Sequence, residues 1–572
     1  MADLLEQLAA AKTDKARQDA VMTHVIDELE DHVRDAAMTL AVPHWVDESI
    51  VTQLSDPQAE GAAGYLAALT ALGLAVQQPD ATWSFPRTVR DLLLRRLVAR
   101  QRDRFCWLSA QYSAVFLRME AETLATDLEG IYHALGADPQ SGGRLLLGRG
   151  LLFKSEPLFQ WHALERLIAN AEEQDRRGVL DERCRAYIDL LRSFVQHLRQ
   201  PPKDEIATLR RLRDAYPDDE VFHAETQLRL GSAELAIGEV ENARATLAQA
   251  LVLCERADRP YGKIEALRGL ARLALRRDDY AQAASHFNDA RNLADRLGLI
   301  ASAAHSVKGM AEIDFLQGRY PGAESGFEQA IAQFRATGAR IGEANTRVSL
   351  SQLLALQHRF GEADEHIEKA MGAYEPLRQN LGLGNCLKAR GIACNEQDAP
   401  TQALEYFARA DEHYAKAANQ TGLAYSNLMR AAALLALDRP EEAAVSLEQA
   451  GVGLGKLGDR YGLAMVERER GLLAERMQSF DLALKLFFSA IAAFEALPNP
   501  VESAATFLGA ARAAAQLGFP AGYERESLIE GASSAERIFA ESRLPRRLRE
   551  TQALLSVLGA VAIHRREDGE QA

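Results

Sequence analysis

The chain has 572 residues, 47% of them hydrophobic and 26% charged, a balance that excludes an intrinsically disordered protein and supplies ample material for a core. Its net charge of -15 excludes a general electrostatic hold on nucleic acid or anionic membrane, because phosphate binding requires a basic face that displaces counterions. The apolar runs Ala67 to Val76 and Ala553 to Ile563 fall short of the roughly 20 residues of a membrane helix. The N-terminus lacks a cationic-then-apolar signal, so a cytoplasmic chain is expected.

Residues 1–40 read as an acidic helical lead-in. Within it, Thr23 to Ala37 would set His24, Glu28 and His32 on one face of a continuous helix. Amid Asp27, Glu30 and Asp31 that face reads as solvated rather than metal-binding. The five cysteines, Cys106, Cys184, Cys254, Cys386 and Cys394, form no CxxC pair, so buried reduced thiols are expected, with no metal and no cofactor.

Residues 41–110 run through Val42-Pro43-His44-Trp45-Val46-Asp47, an apolar stretch from Tyr65 to Val76, a short turn, and Trp83-Ser84-Phe85-Pro86 leading into Val89 to Val98. This order resembles a winged-helix module. More narrowly it looks like the winged helix that follows the ATPase in STAND (signal-transducing ATPase) proteins. A DNA-binding role is the first thought, yet no Lys or Arg occurs between Asp35 and Pro86, so a recognition helix near Tyr65 to Leu72 offers nothing to phosphate or guanine. The following Arg87, Arg90, Arg95, Arg96, Arg100, Arg102 and Arg104 sit on an amphipathic helix with Leu92, Leu93, Leu94 and Leu97, and read as a solvated or partner-facing stripe.

Residues 111–215 read as a helical connector. The stretch Glu129 to Leu135 with Asp138-Pro139 is similar to the helical segment that STAND proteins carry before their repeats. The phosphate loop of those ATPases is missing: Gly143-Arg144-Leu145-Leu146-Leu147-Gly148-Arg149-Gly150 has Arg for the required Lys and Gly for the Ser or Thr. No HExxH, GxSxG or kinase-type set occurs either, so no enzyme is expected.

From residue 216 to 560 a 40-residue period dominates. Ala243/Leu247/Ala250 recurs as Ala283/Phe287/Ala290, Ala323/Phe327/Ala330, Ala363/Ile367/Ala370, Ala403/Phe407/Ala410, Ala443/Leu447/Ala450 and Ala483/Phe487/Ala490. The i, i+4, i+7 spacing puts each small-large-small triad on one helix face, where alanines allow close approach and the large residue fills the space between layers. Gly262, Gly342, Gly382, Gly422 and Gly462 hold a second phase, with Ser302 and Glu502 in the same register, and suit a turn or the start of a helix. The pattern resembles the tetratricopeptide repeat (TPR) in the longer form of kinesin light chains, Rap-type peptide-sensing regulators and STAND sensor arms. The implied fold is all-α: a right-handed TPR superhelical solenoid of about eight hairpins, capped by an atypical last hairpin where Tyr523 replaces the expected Ala, and ending in a polar tail at 561–572.

In such a superhelix the first helix of each hairpin lines the concave surface. One phase of that helix reads Leu228, Arg268, Lys308, Val348, Lys388, Leu428 and Arg468; another reads Glu265, His305, Asn345, Asn385 and Tyr425. Arg268, Lys308, Lys388 and Arg468 are candidates to hold an acidic segment, and Asn345 and Asn385 to pair with an extended peptide backbone. The expected function is a non-enzymatic protein- or peptide-binding scaffold or sensor in regulation or signalling. Two alternatives stand beside it: a peptide-sensing transcription regulator with an N-terminal DNA-binding module, and the sensor subunit of a split STAND-type NTPase.

Overall fold

A computed structural model describes residues 2–54, 62–119, 123–156, 160–196 and 205–569. The chain forms two compact units, residues 1–195 and 196–572. Helix dominates both, and the described strands are two short ones.

The first unit contains α1 (Ala2–Ala10), α2 (Asp14–Asp27), α3 (Asp31–Leu40), α4 (Glu48–Leu54), α5 (Ala62–Ala71), β1 (Val76–Gln77), β2 (Trp83–Ser84), α6 (Arg87–Arg100), α7 (Arg102–Phe116), α8 (Leu124–Ala137), α9 (Pro139–Lys154), α10 (Trp161–Arg176) and α11 (Glu182–Gln196). The strands pair antiparallel with Val76 opposite Ser84, and Val46 exchanges both backbone hydrogen bonds with Trp83. The lead-in is not one helix. Glu28 caps the end of α2 and Asp31 begins α3, so the expected common face for His24, Glu28 and His32 does not form.

The arginine run after Pro86 is also not a free stripe. Arg96 and Arg104 hold Asp27 and Asp35 at 2.6 and 2.9 Å, Arg95 lies 3.8 Å from Asp19, and Arg90 is buried. These contacts tie α6 and α7 to the lead-in helices. Arg90 donates to the carbonyls of Pro43 and Val42 and to Tyr132 and Glu173, while His44 bonds Glu129 at 2.6 Å and Glu173 at 3.2 Å. Residues 143–150 lie inside α9, so no phosphate-cradling loop exists there. Their neighbour Gly142 sits so close to α8 that a Cβ would fall 2.4 Å from the Leu135 backbone nitrogen.

The second unit begins with α12 (Ile206–Ala215), which the sequence places in the connector but which packs on α13 (Glu220–Ile237). The array continues as α14 (Val240–Arg256), α15 (Pro260–Arg276), α16 (Tyr280–Arg296), α17 (Ile300–Leu316), α18 (Tyr320–Thr337), α19 (Arg340–Leu356), α20 (Phe360–Tyr374), α21 (Asn380–Glu396), α22 (Pro400–Lys416), α23 (Gln420–Ala436), α24 (Pro440–Leu457), α25 (Arg460–Arg476), α26 (Phe480–Ala496) and α27 (Pro500–Gln516). Every triad falls on the second helix of a hairpin and is buried.

The repeat of 40 is two repeats of 20, each a helix of about 17 residues and a three-residue turn. The turn is set by one residue at positive φ, for example Asp258, Asp278, Gly298, Gly318, Ala418 and Asp438. The following N–H then bonds back across the turn, as Asp279 does to Ala274 and Asn419 to Tyr414, both at 2.9 Å.

The glycine phase lies inside the first helix, at its third residue, rather than in a turn. A Cβ on Gly342, Gly382 or Gly422 would fall 2.4–2.6 Å from the ring of Phe334, Tyr374 or Tyr414, the large residue ending the preceding helix. Where that residue is Ala294, Ser302 takes the glycine position: the two sites share one volume.

After α27 the rhythm breaks. Residues 517–524 form a longer connection, Tyr523 packs against Phe488 with ring centroids 4.8 Å apart, and α28 (Arg525–Glu541) and α29 (Pro545–Gly569) close the array. Leu528, Ala532, Ala535 and Phe539 resume the buried series in α28.

Candidate binding groove

Successive first helices, α13, α15, α17 and onward to α27, touch one another, whereas the second helices meet mainly their own partner and the next first helix. Elements on the inside of a curve lie closest together, so the first helices form the concave wall.

The phase of Arg268 is only partly open to that wall. Leu228, Val348 and Leu428 are buried, so this register sinks between neighbouring first helices. Lys308 pairs with Glu312 one turn on. Arg468 is buried and paired with Glu469 at 2.9 Å and with Glu502. Lys388 has no such carboxylate among the described residues; its ammonium lies 5.5 Å from the Tyr425 ring centroid, and burial pushes its pKa down to about 8. The two asparagines act within the hairpin: Tyr374 donates to Asn345 Oδ1 at 2.7 Å, and Tyr414 to Asn385 Oδ1 at 2.8 Å. The six predicted residues therefore do not make one continuous stripe of free donors.

Two local sites emerge instead. In the first, Arg268, Arg272 and Arg276 follow at i, i+4 and i+8 along α15, opposite His305 and Lys308 of α17. Arg272 is exposed in the groove, with no carboxylate in ion-pair range among the described residues. Enclosure by protein, then Arg268 and Arg276, push its pKa down to about 10, against the pull of Glu265 and Glu312. His305, edge-to-face with Phe334 at 4.6 Å between ring centroids, is held well below its usual range by burial and then by Arg268, Lys308 and Arg272, so it stays neutral. Arg272 is the residue the sequence reading missed. It lies four residues on from Arg268 in a phase that continues Glu312, Gln352, Ile392, Ala432, Leu472 and Arg512, with no charge pattern to mark it.

The second site is a cavity of about 750 Å³ in the later repeats. One wall is apolar, with Leu428, Met429, Leu435 and Leu472. The other carries ion pairs: Arg468 with Glu469 and Glu502, Arg512 with Glu475 at 2.9 Å, and Arg546 of α29 with Asp398 at 3.2 Å.

The concave space is closed by contacts between distant repeats. The Arg460 N–H donates to Asp278 across 182 residues at 3.1 Å, and Asn499 donates to the Leu316 carbonyl across 183 residues at 2.7 Å. Arg546 reaches the Asn395 carbonyl at 2.9 Å. The superhelix thus completes a turn in about four and a half repeats, and successive turns touch.

Among the described residues no helix is long and apolar enough to cross a membrane, and no cluster of His, Cys, Asp and Glu is arranged to hold a metal. Residues 222–296 and 299–375 match the family model described as tetratricopeptide repeat, so the chain carries repeats of that kind. No curated protein matches the chain.

Among solved structures, the chain is similar to a signal transduction ATPase with numerous domains (STAND) protein with a tetratricopeptide repeat sensor from Pyrococcus horikoshii, at 14% identity and a TM-score of 0.48. That match covers 76% of this chain and 65% of the other, less than two thirds of its length. A Rap protein complexed with competence and sporulation factor matches at 16% identity and a TM-score of 0.44, over 64% of this chain and 96% of that one. Yeast Tom70 matches at 13% identity and 0.35, over 75% and 97%.

Proposed function

We propose that this tetratricopeptide array is a non-enzymatic protein- or peptide-binding scaffold or sensor, acting in regulation or signalling, whose groove receives an acidic, extended segment. The observation that carries the reading is Arg272. It stands in the groove with no carboxylate in ion-pair range among the described residues, between two further arginines and near Lys308, in a chain whose net charge is -15. Like charges gathered on one wall repel one another, and an incoming carboxylate relieves that repulsion while forming charge-assisted hydrogen bonds. Lys388, farther along the array, offers a second cation with no carboxylate in ion-pair range among the described residues.

The test is selection from a random peptide library displayed on phage, run against the full chain and against the variant Arg268→Ala/Arg272→Ala/Lys308→Ala. Enrichment of Asp- and Glu-rich peptides by the first and not by the second supports the reading; enrichment of the same peptides by both would move the site elsewhere. The alternative of an N-terminal DNA reader gains nothing from Arg95, Arg96 and Arg104, which are engaged by Asp19, Asp27 and Asp35.

A further inference from the structure

The contact between Asp278 and Arg460 joins two parts of the array that are 182 residues apart, at a point where no local folding rule requires a bond. Arg460 is the first residue of α25, and the N–H at that position has no acceptor within its own helix. Equivalent first positions in the array include Pro260, Pro400, Pro440 and Pro500, which have no N–H at all. The helix start therefore does not need a donor there. The bond serves the contact between turns.

We propose that Asp278 and the Arg460 amide form a proton-sensitive latch that holds successive turns of the superhelix together and so controls entry of a polypeptide to the groove. The inference rests on the groove being the binding site and adds how that site opens.

The groups facing Asp278 explain the proton sensitivity. Tyr280 of α16 donates to Asp278 at 3.3 Å, and Asp459, the N-cap of α25, brings a second carboxylate toward it. Asp459 accepts from Tyr425 of α23 at 2.8 Å and from the Gly462 N–H at 2.7 Å, with Arg276 of α15 nearby. The Arg460 guanidinium also draws Asp278 toward its ionised form, and Tyr461 lies beyond Tyr280. Burial, then the charge of Asp459, raise the Asp278 carboxyl from 3.8 to about 6 in the closed form. A group whose pKa is higher in the closed form favours closure at low pH and opposes it as pH rises through that value. The part of this rise that comes from burial against α25 and from Asp459 sets the change in the closing equilibrium, at most on the order of a hundredfold between acid and alkaline limits.

Hydrogen exchange of the full chain, resolved to single amides by mass spectrometry and corrected for intrinsic rates, reads the latch without any ligand. The Arg460 amide should exchange at least about tenfold more slowly than a free amide, and its protection should be greater at pH 5 than at pH 8. Asp278→Ala should abolish that protection. Asp278→Asn keeps an acceptor and tolerates the positive φ of 56°, so it should retain protection and lose the pH dependence. Arg460→Pro removes the amide donor together with the guanidinium and should enlarge the particle in small-angle X-ray scattering at pH 5, whereas Arg460→Ala, which removes the guanidinium and keeps the amide, should not. An Arg460 amide exchanging at its intrinsic rate, or protection unchanged in Asp278→Ala, overturns the latch, as does an Arg460→Pro particle of unchanged size. None of these readouts involves the groove cations. Loss of peptide selection with an intact latch would refute the binding reading alone.

Discussion

Replacing Gly422 by Ala tests the packing rule that builds the array. A Cβ there would lie 2.4 and 2.5 Å from Cδ1 and Cε1 of Tyr414, and the ring is buried and anchored through its hydroxyl to Asn385 at 2.8 Å. Overpacking of this kind costs about 1–3 kcal/mol, with about 1 kcal/mol more if the ring tilts out of its hydrogen bond. Alanine's better helix propensity returns up to about 1 kcal/mol, leaving a net loss of about 1–3 kcal/mol. Gly372 is the control: it also lies within a helix, but no atom stands within 4 Å of its would-be Cβ, so Gly372→Ala should gain about 0.5–1 kcal/mol. Urea midpoints followed by far-ultraviolet circular dichroism measure both. The Ala294–Ser302 pair further predicts that Gly422→Ser is better tolerated beside Tyr414→Ala than beside Tyr414. If Gly422→Ala shifts the midpoint upward, as Gly372→Ala should, the shared-volume account is wrong.

Ala323→Leu at a fully buried triad position should lower stability by about 1–3 kcal/mol, seen as a fall in melting temperature. Arg468→Ala leaves Glu469 and Glu502 without their buried partner and should cost about 3–5 kcal/mol, whereas Arg272→Ala should change stability by less than about 0.5 kcal/mol; urea titration separates the two. All four tryptophans, Trp45, Trp83, Trp107 and Trp161, lie in the first unit, so their fluorescence reports its melting alone. His44 is raised above 6.5 by Glu129 and Glu173, despite its burial, and contributes stability that is full below 6.5 and lost as pH rises through its folded value. Glu129 and Glu173 are held well below 4.5 by His44 and by His133 or Arg90, and their contribution is lost only in acid. His133, pushed below 6.5 by burial, acts the opposite way, its contribution being lost as pH falls through its folded value. Tryptophan-monitored melting should therefore decline above about pH 6.5 and again in acid, and His44→Gln should remove the decline on the alkaline side.

The solenoid was legible because its signal is repeated: an alanine contact that recurs every 40 residues marks the second helix without reference to any neighbour. The role of Gly382 or Gly422 was not, since each glycine answers a ring 8 residues earlier on another helix, and only the packing joins them. The packing of first helix on first helix follows from the repeat, but a one-dimensional phase cannot tell that Leu428 and Arg468 are buried while Arg272 is exposed. Nor can it foresee that Tyr374 and Tyr414 occupy Asn345 and Asn385. In the first unit, acidic and basic residues that looked solvated when read singly, Asp27 with Arg96 and Asp35 with Arg104, are partners 69 residues apart. Contacts of that separation leave no local trace in the sequence.

The central claim is that the cations of α15 and α17 hold an acidic partner. Affinity capture from native cytosol with quantitative mass spectrometry, run in parallel for the wild-type chain and for Arg268→Ala/Arg272→Ala/Lys308→Ala, tests it most directly. The account predicts one or a few specific proteins, with acidic segments, that are retained by the wild type in a salt-dependent manner and lost from the variant. Equal recovery of the same proteins by both chains would contradict it and place the binding surface outside this cluster.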